Sequence, residues 1–153
     1  MGRIYTASVS VAVTAIQDFF EVNAPADAAV AIHRIFIGQS SDAGDAQAEM
    51  LRVQISRSTG TAGSGGSVPT ARPHEVGSPA YGGTVEANNT TQAGTTTVLF
   101  EEAFNVQAGW YFVPTPEERI IISPSGVLVV ELPAAPADSL TMEGSITFEA
   151  IGG

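Results

Sequence analysis

Apolar and polar residues alternate with a period of two along most of this chain, the pattern of strands that bury one face. Between Arg3 and Val13, the residues Tyr5, Ala7, Val9, Val11 and Val13 take alternate positions, with Thr6, Ser8 and Ser10 between them. That spacing predicts a half-buried strand. Gln17 to Val22 is a short aromatic segment, and the turn Ala24-Pro-Ala-Asp27 leads into Ala29 to Gln39. In that stretch Val30, Ile32 and Phe36 fall on one face and Ile35 and Ile37 on the other. A strand apolar on both faces reads as central.

After a polar loop, Ser40 to Asp45, the residues Leu51, Val53 and Ile55 alternate with Arg52, Gln54 and Ser56 in a further strand. Thr95 to Glu102 continues the pattern, with Val98 and Phe100 pointing one way and Thr97 and Leu99 the other. Asn88 to Gly94, just before it, reads as a polar turn. Three short apolar runs, Gly109 to Val113, Arg119 to Ile122 and Val127 to Leu132, are bounded by Pro114, Pro116, Pro124 and Pro133, and proline marks strand ends. In the last segment Leu140, Met142, Ile146 and Phe148 share a face, with Gly144 placed where a bulge is expected. No stretch sustains an apolar stripe of helical period. About eight or nine strands predict a single all-β domain over residues 1–153, a two-sheet sandwich or jelly roll, with an open barrel as the nearest competitor.

Residues 58–80 depart from this pattern, being mostly Gly, Ser, Thr and Pro with little to bury. Such a stretch does not offset its own ordering entropy, so a loop insertion is expected there, either mobile or ordered by a partner.

Composition narrows the function classes. The chain has no cysteine, which excludes disulfides and thiolate metal sites. Its net charge of −10 comes from 16 carboxylates against six cations, all of them arginine. Phosphate backbones and anionic lipid are repelled by such a surface, so neither nucleic acid nor membrane is an expected partner. Met1 to Val13 alternates where a secretory leader would run continuously apolar, and no run approaches the roughly 18 apolar residues of a membrane span.

Candidate chemistry is sparse. Nucleophilic catalysis needs a base beside the nucleophile, and only His33 and His74 are present, without a G-x-S-x-G elbow. His33 sits mid-strand, where a structural hydrogen bond is the expected role, and His74 lies in the loop, expected to be exposed. The adjacent pairs Glu101/Glu102 and Glu117/Glu118 do not match two carboxylates set across a glycosidic bond, because strand neighbours face opposite ways. The most metal-like stretch is Asp42-Ala-Gly-Asp45, with Gln47 and Glu49 behind it. It offers oxygen ligands of the kind calcium prefers but lacks EF-hand spacing, so an acidic turn is favoured and neither metal nor cofactor is expected. The glycines between 60 and 66 lack the Gly-Lys-Ser/Thr that holds a nucleotide phosphate. Trp110, Tyr111 and Phe112 offer aromatic surface for a sugar or a subunit, although alternation lets at most two of them share a face.

Three stretches carry a resemblance: Arg3-Ile-Tyr-Thr with Val13-Thr-Ala-Ile-Gln-Asp18, Ile37-Gly-Gln-Ser-Ser-Asp-Ala-Gly-Asp45, and Ala135-Pro-Ala-Asp-Ser-Leu-Thr-Met-Glu-Gly144. They resemble a group of small structural proteins of tailed phages and prophages. With the β pattern, the chain is similar to capsid decoration, or cement, proteins. That resemblance implies a non-enzymatic virion protein on the capsid exterior, made in the bacterial host cytoplasm, forming homotrimers and binding the major capsid protein. The expected interface residues are Arg3, Tyr5, Trp110, Tyr111 and Phe112, Arg3 as the pin of an N-terminal arm. A glycan- or receptor-binding jelly-roll module of a tail or fibre is the alternative.

Overall fold

The computed structural model describes residues 2–40 and 49–152. Eleven strands are present among them: β1 (Arg3–Val13), β2 (Gln17–Asn23), β3 (Ala29–Gln39), β4 (Met50–Ser58), β5 (Arg72–Pro73), β6 (Thr84–Asn89), β7 (Thr96–Asn105), β8 (Trp110–Phe112), β9 (Ile121–Ile122), β10 (Val127–Leu132) and β11 (Leu140–Ile151). A 3-10 turn at Pro116–Glu118 is the one helical element described. One sheet has the order β5-β1-β11-β3-β8, with β9 also paired to β3, and the other has the order β6-β2-β10-β4-β7. Every pairing is antiparallel. The two sheets pack face to face as a β-sandwich, the all-β architecture that the alternation predicts.

The core between the sheets is built from alternate residues of both. Ile35, Ile37, Met142, Ile146 and Phe148 from one sheet meet Phe20, Ile55, Leu128 and Leu132 from the other, all fully buried. Each such side chain contributes about 1.5–3 kcal/mol by leaving water. Three bulges set which residues reach this core; on β2, Val130 pairs with Phe20 and Glu131 with Asp18, which leaves the buried Phe19 as the extra residue. On β3, Thr147 pairs with Arg34 and Phe148 with Ile32, so His33 is the extra residue. That single residue shifts the phase of the strand and puts Val30, Ile32, Ile35 and Ile37 all on the inner face. The apparent double-sided apolarity of β3 is therefore one inner face read across a phase shift. On β7, Ile55 pairs with Phe100 and Ser56 with Val98, leaving Leu99 as the extra residue. Val98 and Phe100 consequently lie on opposite faces, not on one.

Gly144 holds no bulge, since β11 runs through it in unbroken register with Val9 and with Ile37. Its role is steric. A Cβ there would lie 2.4 Å from Phe19 Cε1 and 2.9 Å from Phe20 Cε2, so the two rings occupy the space that glycine leaves.

Residues 58–80 lie mostly outside the strands and are tied to the sandwich by backbone hydrogen bonds. Ser64 bridges Thr91, Ser67 bridges Ala87, Arg72 and Pro73 pair with β1, and the His74 amide donates to the Ile4 carbonyl at 2.9 Å. Main-chain groups satisfy one another here where side chains have little to bury. The Tyr81 hydroxyl then donates to the Asn23 carbonyl at 2.9 Å, and the Tyr81 ring meets Tyr5 and Phe148 to close this end of the core.

Candidate functional site

Two regions carry features beyond those that the core requires. The first is the edge where β7 faces β8 and β9. A long edge strand presents unpaired main-chain groups, and proteins normally shield such a strand with charged side chains, above all lysine, with proline, with bulges or by keeping it short. β7 is ten residues long, contains neither lysine nor proline, and exposes Val98, Leu99 and Phe100, the latter two at 40% and 39%. Phe100 packs on Phe112 with ring centroids 5.1 Å apart. Beside it, Leu99, Ile120, Ile121, Ile122 and Leu128 line a groove of about 310 Å³, with Arg57 among its polar residues. Ile121 is itself well exposed. The bulge at Leu99 explains the cluster, because it turns one more apolar side chain toward this edge. Glu101 flanks it, hydrogen-bonded by Arg52 and, at 2.7 Å, by Gln54. The Arg52 guanidinium and the Gln54 amide hold the Glu101 carboxyl below its usual range.

The second region lies on the outer face of the five-stranded sheet. Residues 59–67 and the connection 90–95 hydrogen-bond to each other, Gly94 N to Thr61 O at 2.9 Å and Ser64 N to Thr91 O at 2.9 Å, and form a flap over that face. Beneath the flap are two carboxyl groups from β2, Asp18 at 1% and Glu21 at 0% exposure. Asp18 accepts from the Ala93 amide at 2.6 Å. Glu21 accepts from the Gly63 amide at 2.9 and 3.0 Å, and from Asn89 Nδ2 at 2.8 Å. Burial pushes the Asp18 carboxyl up to about 7, the Ala93 amide opposes the rise, and Glu21 and Glu131 add to it. Both groups are spent on anchoring the flap, and a substrate would have to displace it to reach them. The sequence marks this pair only as two acids inside the apolar run Gln17 to Val22, a burial that alternation alone does not require.

The residues expected at an interface separate into three environments. Trp110 is 5% exposed, donates from Nε1 to Glu102 at 2.7 Å and stacks on the buried Phe112, so both rings are core residues and not exposed anchors. Tyr5 is likewise buried against Tyr81 and Phe148. Tyr111, between the two core rings, points the other way and is 62% exposed. Arg3 is exposed but opens β1 opposite Ala150, which makes it part of the sheet and not of an arm. His33, the bulged residue, pairs with Glu149 at 3.0 Å, and exposed His74 lies 2.7 Å from the Thr6 hydroxyl. Asp42 and Asp45 lie outside the described residues. Among the described residues, no three histidine or carboxylate side chains converge as metal ligands.

No family model, curated protein or solved structure matches this chain.

Proposed function

We propose that this chain is a non-enzymatic structural protein that assembles through the apolar edge formed by β7 and β9. The observation that carries the reading is the exposed run Val98-Leu99-Phe100 on a long edge strand, beside a groove lined by Ile121 and Ile122. Unpaired main-chain groups give such an edge direction, and the apolar side chains give it area to bury. The occupant is another copy of the chain, in a homotrimer. Support for a non-catalytic role comes from the functional groups themselves: both histidines are engaged in side-chain contacts, and the carboxyl groups of Asp18 and Glu21 are buried as anchors.

Within that reading, the chain serves as a decoration protein on the outer shell of a tailed phage, seated on the major capsid protein. The resemblance of the three stretches named above supports the virion setting. The net charge of −10 supports an outward position, away from packaged DNA.

Light scattering on the purified protein, followed by co-sedimentation with capsid shells, tests both levels. A trimer that Phe100→Glu reduces to a folded monomer is the expected result, with the wild type pelleting alongside shells. A wild-type monomer would overturn the assembly reading, and a trimer that stays in the supernatant would overturn the capsid role.

A further inference from the structure

The outer face of the six-stranded sheet presents a different surface from the apolar edge. Register places Ser8 opposite Ser145, Ser145 opposite Phe36, and Phe36 opposite Tyr111, which makes one row across four strands. The next row is Ser10, Glu143 and Gly38. Short side chains therefore floor a depression of about 460 Å³, lined by Ser8, Ser10, Phe36, Glu143 and Ser145. At one side the Phe36 and Tyr111 rings lie 4.7 Å apart, tilted by 37°.

Three properties define what fits this surface. The aromatic pair is large and open to solvent on the Tyr111 side, a platform for a flat, weakly polar ligand face. The hydroxyls of Ser8, Ser10 and Ser145 make no side-chain hydrogen bond among the described residues, and each is able both to donate and to accept. Among the described residues, the depression is lined by one charge, the Glu143 carboxylate, and by no cation, which disfavours anionic ligands. A pyranose ring combines an apolar C–H face with a rim of hydroxyl groups and carries no charge. Concave sites with an apolar floor or wall and a few convergent polar groups bind ligands of this kind.

We propose that this depression binds a neutral oligosaccharide, one sugar ring resting on Phe36 and Tyr111 and its hydroxyls meeting Ser8, Ser10, Ser145 and Glu143. The inference goes beyond the assembly reading and uses none of the apolar-edge residues. A chain working at a shell surface would gain by it an attachment to neutral surface glycans.

The test is calorimetric titration of the wild-type protein with neutral glucan, galactan and mannan oligosaccharides, beside uronic-acid and sulfated oligosaccharides. Binding to at least one neutral oligosaccharide is expected, weakened tenfold or more by Tyr111→Ala and severalfold by Ser145→Ala. Tyr111 is exposed, so the melting temperature and particle mass of Tyr111→Ala should match the wild type, and Phe100→Glu should leave sugar binding intact. Absence of binding at millimolar concentrations, preference for the acidic sugars, or affinity unchanged in Tyr111→Ala would each overturn the proposal. A wild-type protein that is monomeric yet binds sugar would instead count against the edge reading alone.

Discussion

The outer faces of the two sheets begin from the same rule and end in opposite states. On the six-stranded sheet, Thr6, Ser8, Ser10, Glu143 and Ser145 stand outward beside the partly exposed Phe36. On the five-stranded sheet the corresponding polar positions include Asp18, Glu21 and Ser56, all of them buried, because the flap of 59–67 and 90–95 lies across that face. Alternation assigns a residue to a face, but it does not say whether that face meets water. The difference comes from hydrogen bonding that strands do not encode. Carboxylates on β2 accept from amides of a distant segment, and glycine lets that segment come close enough to donate.

The comparison breaks most sharply at Gly63. A Cβ there would sit 2.1 Å from Glu21 Oε1 and 2.6 Å from the Thr91 carbonyl oxygen. We expect Gly63→Val to lift the flap and cost about 3 kcal/mol, as overpacking does. Thermal melting would record the loss, and new proteolytic cleavage between residues 58 and 67 would locate it. Unchanged melting and cleavage would mean that the flap is not held by this approach.

A next effect in size comes from pH. The Asp18 carboxyl titrates near 7 in the folded protein against 3.8 as a free side chain. A group raised in this way holds its proton on folding, so its stabilising contribution is complete below about pH 4, declines as pH rises, and is gone above the folded value. Between pH 5 and 7 the decline amounts to about 2 kcal/mol. Asp18→Asn imitates the protonated acid and should flatten this slope and make the protein more stable than wild type at pH 8. Denaturant melts at pH 5, 7 and 8 measure it, and a variant with the wild-type slope would remove Asp18 as its source.

Smaller still is the expected cost of Asn89→Ala, about 1–2 kcal/mol, because Glu21 loses a buried donor at 2.8 Å while the Gly63 amide remains. Last comes the open face, where Ser8→Val should change stability by less than about 0.5 kcal/mol. The contrast between Val at 63 and Val at 8 is the most direct measure of how differently the two faces are used. Equal costs would erase it.

Much of the sandwich was legible from alternation alone. β1, β3 and β10 have the limits that their patterns suggest, and β11 extends only slightly past its apolar run. β5 and β6 were not legible: β5 has two residues, and β6 buries only Val85, Ala87 and Asn89, too little apolar volume to mark a strand. The phases of β3 and β7 were misread for one reason, a single inserted residue that a fixed period of two does not accommodate. For the sites, the sequence identified the aromatic triplet correctly as alternating. Which member faced outward depended on the register of β8 against β3, a long-range fact. The apolar edge was equally hidden, since Leu99 and Phe100 look like ordinary strand residues until β7 is known to have, among the described residues, no hydrogen-bonded strand on one side.

The pairing of β1 with β11 has a consequence in time. Every residue of β1 from Arg3 to Val13 is matched with one between Leu140 and Ala150, and β11 is also the neighbour of β3. During synthesis β1 emerges without its partner β11, and the centre of their sheet cannot close until residues 140–150 have left the ribosome. The five-stranded sheet needs nothing beyond Leu132 and is able to form earlier. Contacts between such distant segments slow folding. Newly made chains thus spend an interval with the apolar flanks of β1 and β3 unpaired, when crowding among copies is most hazardous.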